Sequence, residues 1–142
     1  MDQMPDQLID QDAVIIADEI DLIGVRHVLR AHARAAGLSL VEETKLITAG
    51  SELARNILIH TTDARGQLYV EQLAASRGRG VRATFTDEGP GIEDLDAALK
   101  DGFSTVGSLG LGLPGSRRLV DEMTITSSSG SGTAVVIVKW RR

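Results

Sequence analysis

The sequence predicts a two-layer α/β (α+β) sandwich, in which a mixed, largely antiparallel sheet carries helices on one face. Three observations lead there. Apolar residues recur at helical spacing through residues 40–60. Two short runs of period-two alternation follow, joined by a turn rich in glycine and arginine. Two more strand-like runs close the chain through Ser129-Gly130-Ser131-Gly132.

Residues 1–12 are polar and acidic and read as a flexible leader, leaving residues 13–142 as one domain. Ala13-Val14-Ile15-Ile16-Ala17 has the length and β-branched content of a strand. Asp18 or Asp21 is placed to start a helix whose apolar face uses Ile20, Ile23, Val25, Val28 and Leu29, and Gly37 is its natural stop.

Ser39 and Glu42 have capping-box spacing, and Glu42 and Glu43 suit the positive end of a second helix. Leu46, Ile47, Ala49, Leu53, Ala54, Ile57 and Leu58 continue that helix to about His60. Leu68, Val70 and Leu73 mark the next strand, and Val81, Ala83 and Phe85 the one after it. Ser76-Arg77-Gly78-Arg79-Gly80 turns between them. Residues 92–112 are irregular, with a short helix expected at 95–99. A helix is expected over 113–121, with Pro114 tolerated in its first turn, and a closing hairpin over 123–128 and 133–140.

Bulk properties narrow the function. An apolar share of 42% with 25% charged residues is a soluble globular balance. A net charge of −5 disfavours nucleic acid as a partner, and the arginines at 77, 79 and 82 read as the solvated edge of a hairpin. The absence of cysteine excludes disulfides, thiol catalysis and thiolate metal sites. With neither a secretory signal nor an apolar stretch of about 20 residues, the expectation is a cytoplasmic protein with no membrane partner.

Three groups of residues carry chemistry. Glu52 and Asn56 are one helical turn apart and therefore share a side of the second helix, at the border of its apolar face. They read as an exposed polar pair or as a working one. A carboxylate can accept a proton from a hydroxyl, and an amide oxygen suits Mg²⁺, which keeps waters and phosphate oxygens as its other ligands. Asp87-Glu88-Gly89-Pro90-Gly91-Ile92 ends a strand; it is either an ordinary turn or a pocket in which Asp87 accepts a hydrogen bond from an exocyclic amine. Gly107-Ser108-Leu109-Gly110-Leu111-Gly112-Leu113-Pro114-Gly115 opens a helix, where freed backbone N–H groups make an anion site.

Gly110 to Gly115 also spells G-x-G-x-x-G, but it follows an irregular segment and precedes an antiparallel ending, so the dinucleotide reading fails. No Walker A triplet occurs. His27, His32 and His60 form no metal-ligand pattern; the first two have a packing explanation, and His60 suits a helix C-terminus.

The order of these motifs resembles the ATP-binding (Bergerat) fold shared by gyrase, Hsp90, histidine kinases and MutL, from about residue 13 to 140. Glu52-Leu53-Ala54-Arg55-Asn56, the Asp87 to Ile92 motif, and Gly110 to Gly115 with Leu119-Val120-Asp121-Glu122 are most similar to the RsbT-type anti-sigma regulatory serine/threonine kinases.

The resemblance implies ATP and Mg²⁺ as cofactors, with Asn56 as the metal ligand and Glu52 as the catalytic base or hydroxyl-orienting group. It implies that Asp87 contacts the adenine amine, Gly89 and Gly91 with Ile92 shape the adenine pocket, and Thr133 buttresses it. Gly107, Gly110 and Gly112, with Leu109, Leu111 and Leu113, would close over the phosphates. Ile57 and Ile59 depart from the superfamily pattern, which favours alanine and a basic residue there.

The implied activity is phosphorylation of a STAS-domain antagonist in a partner-switching stress pathway that regulates a sigma factor, followed by activation of a PP2C-type phosphatase. The rivals are an anti-sigma factor that sequesters a sigma subunit and a nucleotide-responsive switch without significant transfer.

Overall fold

A computed structural model describes residues 11–60, 66–87, 113–127 and 132–142. The elements in chain order are β1 (Gln11–Ile16), α1 (Asp21–Ala35), α2 (Leu40–His60), β2 (Gly66–Ala75), β3 (Gly78–Asp87), α3 (Leu113–Leu119), β4 (Glu122–Ser127) and β5 (Thr133–Trp140). The strands lie in the order β1-β2-β3-β5-β4, and all four pairings among the described residues are antiparallel. The sandwich is as the sequence predicts, and the described sheet is antiparallel throughout rather than mixed.

The helices begin and end for local reasons. Ser39 donates its backbone N–H to Glu42 Oε1 at 2.7 Å, and the Glu42 N–H is bonded to Ser39 Oγ at 3.1 Å, a reciprocal capping box at the start of α2. Helix α1 ends in a Schellman turn, with Leu38 N–H on the Ala33 carbonyl at 2.9 Å and Gly37 N–H on the Arg34 carbonyl at 3.0 Å. Gly37 sits there at φ 81°, a conformation a side chain disfavours. Asp21 accepts the backbone N–H groups of Ala17 and Asp18, which hold its carboxyl below its usual range.

The core lies between the two layers. Val81, Ala83 and Phe85 of β3, Leu68 and Val70 of β2, and Ile137 of β5 meet Val25 and Leu29 of α1 and Leu46, Ala49 and Leu53 of α2. Gly50 lets the helices approach, since a Cβ there would stand 2.4 Å from Leu29 Cδ1. Residues of alternate parity line the face away from the helices, where Glu71 and Arg82 are cross-strand partners joined by two hydrogen bonds of 2.8 and 3.1 Å. Arg82 is thus engaged on the sheet, not on a solvated hairpin edge; Arg77 stacks 4.9 Å from the centre of the Trp140 ring, and Arg79 bonds Gln72 at 3.0 Å.

Strand β1 starts at Gln11, two residues before the expected Ala13. Asp12 Oδ2 lies 2.6 Å from Nε2 of His32, which is buried on α1. A second clasp ties the sheet to α2. Asp121 accepts the Trp140 N–H at 2.7 Å, stands 3.8 Å from Lys139 Nζ and bonds the Arg142 guanidinium. Glu42 accepts the Arg142 N–H at 3.0 Å. Burial raises both carboxyls, but these hydrogen bonds and cations outweigh it, with the Ser39 contacts adding to them at Glu42; both carboxyls are held below their usual range.

Candidate functional site

Leu53, Ala54 and Ile57 of α2 are all buried, which leaves Glu52 and Asn56 half-buried on the border of the helix's apolar face. One turn of helix separates them, so they stand side by side. Their polar neighbours are engaged with α1 and the turn before it: Ser51 Oγ accepts from Arg26 Nε at 3.2 Å, and Arg55 Nη1 lies 3.7 Å from Glu19 Oε1.

Asp87 is the last residue of β3, at the end of the sheet. Its Cα partners are Gly66 on one side and Thr133 on the other. Gly66 links this row to α2. A Cβ on Gly66 would stand 2.6 Å from Ile57 Cγ2 and 2.7 Å from the Thr86 carbonyl, so glycine lets α2 descend onto the sheet beside Asp87. Ile57 follows Asn56 directly, and the close approach therefore carries the Glu52/Asn56 turn toward the Asp87 end of the sheet.

A cavity of about 420 Å³ opens at that end, lined by Thr86, Asp87, Thr126, Ser127, Gly132 and Thr133 together with Ala134. This volume falls in the usual range for small-molecule sites. Thr133 Oγ1 and Ser127 Oγ are 2.9 Å apart, and Ser127 Oγ donates to the Gly132 carbonyl at 3.1 Å, which fixes the hydroxyls on the β4–β5 side. The structure thus brings Asp87 and Thr133 into one cavity, whereas Glu52 and Asn56 lie on α2 outside its lining.

Gly89, Gly91, Ile92, Gly107, Leu109, Gly110, Leu111 and Gly112 lie outside the described residues, as does the helix expected at 95–99. Leu113 is 3% exposed and belongs to the core, so its side chain serves packing. Helix α3 has seven residues and ends at Leu119, two short of the expected 121. Ser116, buried beneath it, donates to the Ala49 carbonyl at 3.5 Å. That contact anchors the helix after the glycine-rich run to α2 less than one turn from Glu52. Sequence reasoning missed Ser116, because its partner lies far away in the chain.

Among the described residues there is no group of three His, Cys, Asp or Glu side chains able to hold a metal. An amide oxygen such as that of Asn56 matches a hard cation that takes most of its ligands from water and phosphate. No helix among the described residues is long and apolar enough to cross a membrane.

Residues 15–139 match the histidine kinase-like ATPase domain family. Over 94% of its length the chain is 41% identical to the serine/threonine-protein kinase RsbT of Bacillus subtilis (strain 168), covering 98% of that protein. It is 32% identical to the anti-sigma F factor of Anoxybacillus flavithermus (strain DSM 21510 / WK1), over 71% of each chain. With the anti-sigma F factor of Thermoanaerobacter sp. (strain X514) it shares 29% identity, over 81% of this chain and 82% of the other.

Proposed function

The chain belongs to the histidine kinase-like ATPase domain family, and from that membership we propose that it is a protein serine/threonine kinase using Mg-ATP. Its substrate in this reading is a STAS-domain antagonist in a cytoplasmic partner-switching pathway that regulates a sigma factor, and a PP2C-type phosphatase is the downstream partner. The observation that carries the reading is the close packing of Ile57 over Gly66. It supports a site shared by the half-buried carboxylate and amide of α2 and the strand end that bears Asp87.

Each described residue has a part in this reading. Asp87 accepts a hydrogen bond from the adenine amine at the sheet end, and Thr133, held by Ser127, supports it. The Asn56 amide oxygen would hold Mg²⁺, which would neutralise charge on the phosphates. Glu52 orients the acceptor hydroxyl and takes its proton as the hydroxyl oxygen bonds to the γ-phosphorus. The bond from that phosphorus to the β–γ bridging oxygen breaks, and ADP leaves with the electron pair. Positioning dominates such transfers, so few reactive side chains suffice.

The similarity to anti-sigma F factors favours a second reading, sequestration of a sigma subunit. One assay separates the two. Radiolabelled ATP is incubated with the chain and the STAS-domain protein encoded beside it, and sigma-subunit capture is measured in parallel. Label in the STAS protein that is lost with Glu52→Ala and Asn56→Ala is the expected result. Sigma capture without transfer would overturn the kinase reading.

A further inference from the structure

We propose that Arg79 and Arg141, at the opposite end of the sheet from Asp87, form the anion-binding centre of a second surface, whose occupant is an acidic segment of a partner protein. The inference is independent of the kinase reading, because no step of the transfer uses these residues.

The register of the sheet creates the pair. Gly80 lies opposite Trp140 across β3 and β5, and one step further along Arg141 donates its backbone N–H to the Arg79 carbonyl at 2.8 Å. The two arginines are therefore direct cross-strand neighbours. Both turn toward the helices. Arg79 bonds Gln72, whose amide meets His32 of α1. The stem of Arg141 packs over Gly37, where an added Cβ would stand 3.3 Å from Arg141 Cδ.

Like charges directly opposite on a sheet cost stability, and the surrounding carboxylates are engaged elsewhere. Arg30 and Arg34 both reach Glu43, Lys139 and Arg142 both reach Asp121, and Glu42 accepts the Arg142 N–H. Among the described residues neither Arg79 nor Arg141 has a carboxylate partner. Arg79 bonds a neutral amide at 3.0 Å, and the Arg141 guanidinium makes no hydrogen bond. Both are exposed. Unbalanced positive charge is thus gathered at one end of a chain whose net charge is −5. The negative end of α1 favours Arg141 on its own, but it gives no reason for a second arginine facing it.

Two adjacent guanidinium forks match a carboxylate, which each can grip through paired N–H groups. The flank of the surface indicates what carries that carboxylate. The connection beneath Arg141 runs directly into Leu40 and Val41 on the first turn of α2, exposed at 73% and 64%. Apolar side chains beside arginines suit a protein segment that mixes acidic and apolar residues, the composition of an interface centre with a charged rim. A free polyphosphate would leave them without a contact. Strand β3 has 10 residues, about 30 Å of extended chain, so a partner seated at its start leaves the Asp87 end open.

The test is a titration of the isotope-labelled full chain with a short peptide mixing glutamate and leucine, followed through the arginine Nε–H resonances. The signals of Arg79 and Arg141, assigned with Arg79→Gln and Arg141→Gln, are expected to shift. The double variant should weaken the peptide Kd at least about tenfold, with the Kd for a fluorescent ATP analogue within about twofold. The same peptide with lysine in place of glutamate should not bind. No binding of the acidic peptide, or binding unaltered in the double variant, overturns the proposal. So does inorganic tripolyphosphate or a single-stranded oligonucleotide that shifts the same signals at lower concentration than the peptide, which would assign the pair to a phosphate ligand. Melting curves check the premise separately. With the cross-strand repulsion removed, Arg141→Gln should melt no lower than the wild type; a clear fall would assign Arg141 to capping α1 and overturn the proposal as well.

Discussion

Asp87 and Thr133 are Cα partners across β3 and β5 at the sheet end, with Gly66 completing the row on the β2 side. A carboxylate that meets a ligand amine from such a position is expected to matter for affinity more than for fold. Asp87→Ala should weaken ATP binding about 10–100-fold, the worth of one charged hydrogen bond. Titration calorimetry against a melting curve checks both halves of the statement.

Glu52 and Asn56 are expected to separate in their effects although they share a helix turn. Glu52→Gln should lower the transfer rate about 10²–10⁴-fold, the usual contribution of a general base, while leaving ATP affinity nearly intact. Asn56→Ala should weaken binding of Mg-ATP as well. Rapid-quench transfer alongside equilibrium binding distinguishes the two patterns.

Gly66→Ala places a methyl group 2.6 Å from Ile57 and 2.7 Å from the Thr86 carbonyl. The expected loss is about 1–3 kcal/mol of stability from overpacking. Because the strain is felt between α2 and the Asp87 row, ATP affinity should fall too. Denaturant unfolding and calorimetry on the same preparation measure the pair, and a stability loss without an affinity loss would disprove the link.

Ser39→Ala removes one half of the capping box at the far end of α2 from Asn56. It should destabilise the protein by about 1 kcal/mol. Nucleotide binding is expected to be unaffected, which makes it the control for Gly66→Ala.

Against their burial, Asp121 is held below its usual range by the Trp140 N–H and neighbouring cations, and Glu42 by the Ser39 and Arg142 N–H groups, the Ser39 hydroxyl and Lys139. A carboxyl with a lower pKa folded than unfolded contributes stability above its unfolded value, about 4, and loses it as pH falls through the folded value. Asp121→Asn is therefore expected to lower the melting temperature most at neutral pH. Its gap to the wild type should narrow as pH falls below about 4, where the unfolded carboxyl takes its proton before the folded one does.

How legible each feature was depended on how far away its partner lay in the chain. The Ser39–Glu42 box and the Gly37 stop use neighbours within one or two turns, so spacing alone revealed them. The Glu52–Asn56 pair followed from helical period, and the position of Asp87 from strand alternation. The His32–Asp12 contact, the Asp121–Arg142 clasp and the Ser116–Ala49 anchor join residues 20, 21 and 67 positions apart, and no local pattern announces them. The same cause misplaced the start of β1, since Gln11 and Asp12 look like leader until His32 is found beside them. Arg82 was read as solvated because its partner, Glu71, depends on hairpin register. Leu113 packs its side chain into the core, a placement that depends on residues far away in the chain.

The strand that ends in Asp87 is the middle one of the five among the described residues, flanked on both sides by paired neighbours. Its amides are the ones least able to exchange with deuterated solvent short of global unfolding, whereas the edge strands β1 and β4 can open separately. A nucleotide held at that strand end would keep its base against a stationary wall. Any rearrangement that loads or releases it can then proceed without breaking the central ladder, so the rate of exchange and the stability of the protein can be altered independently.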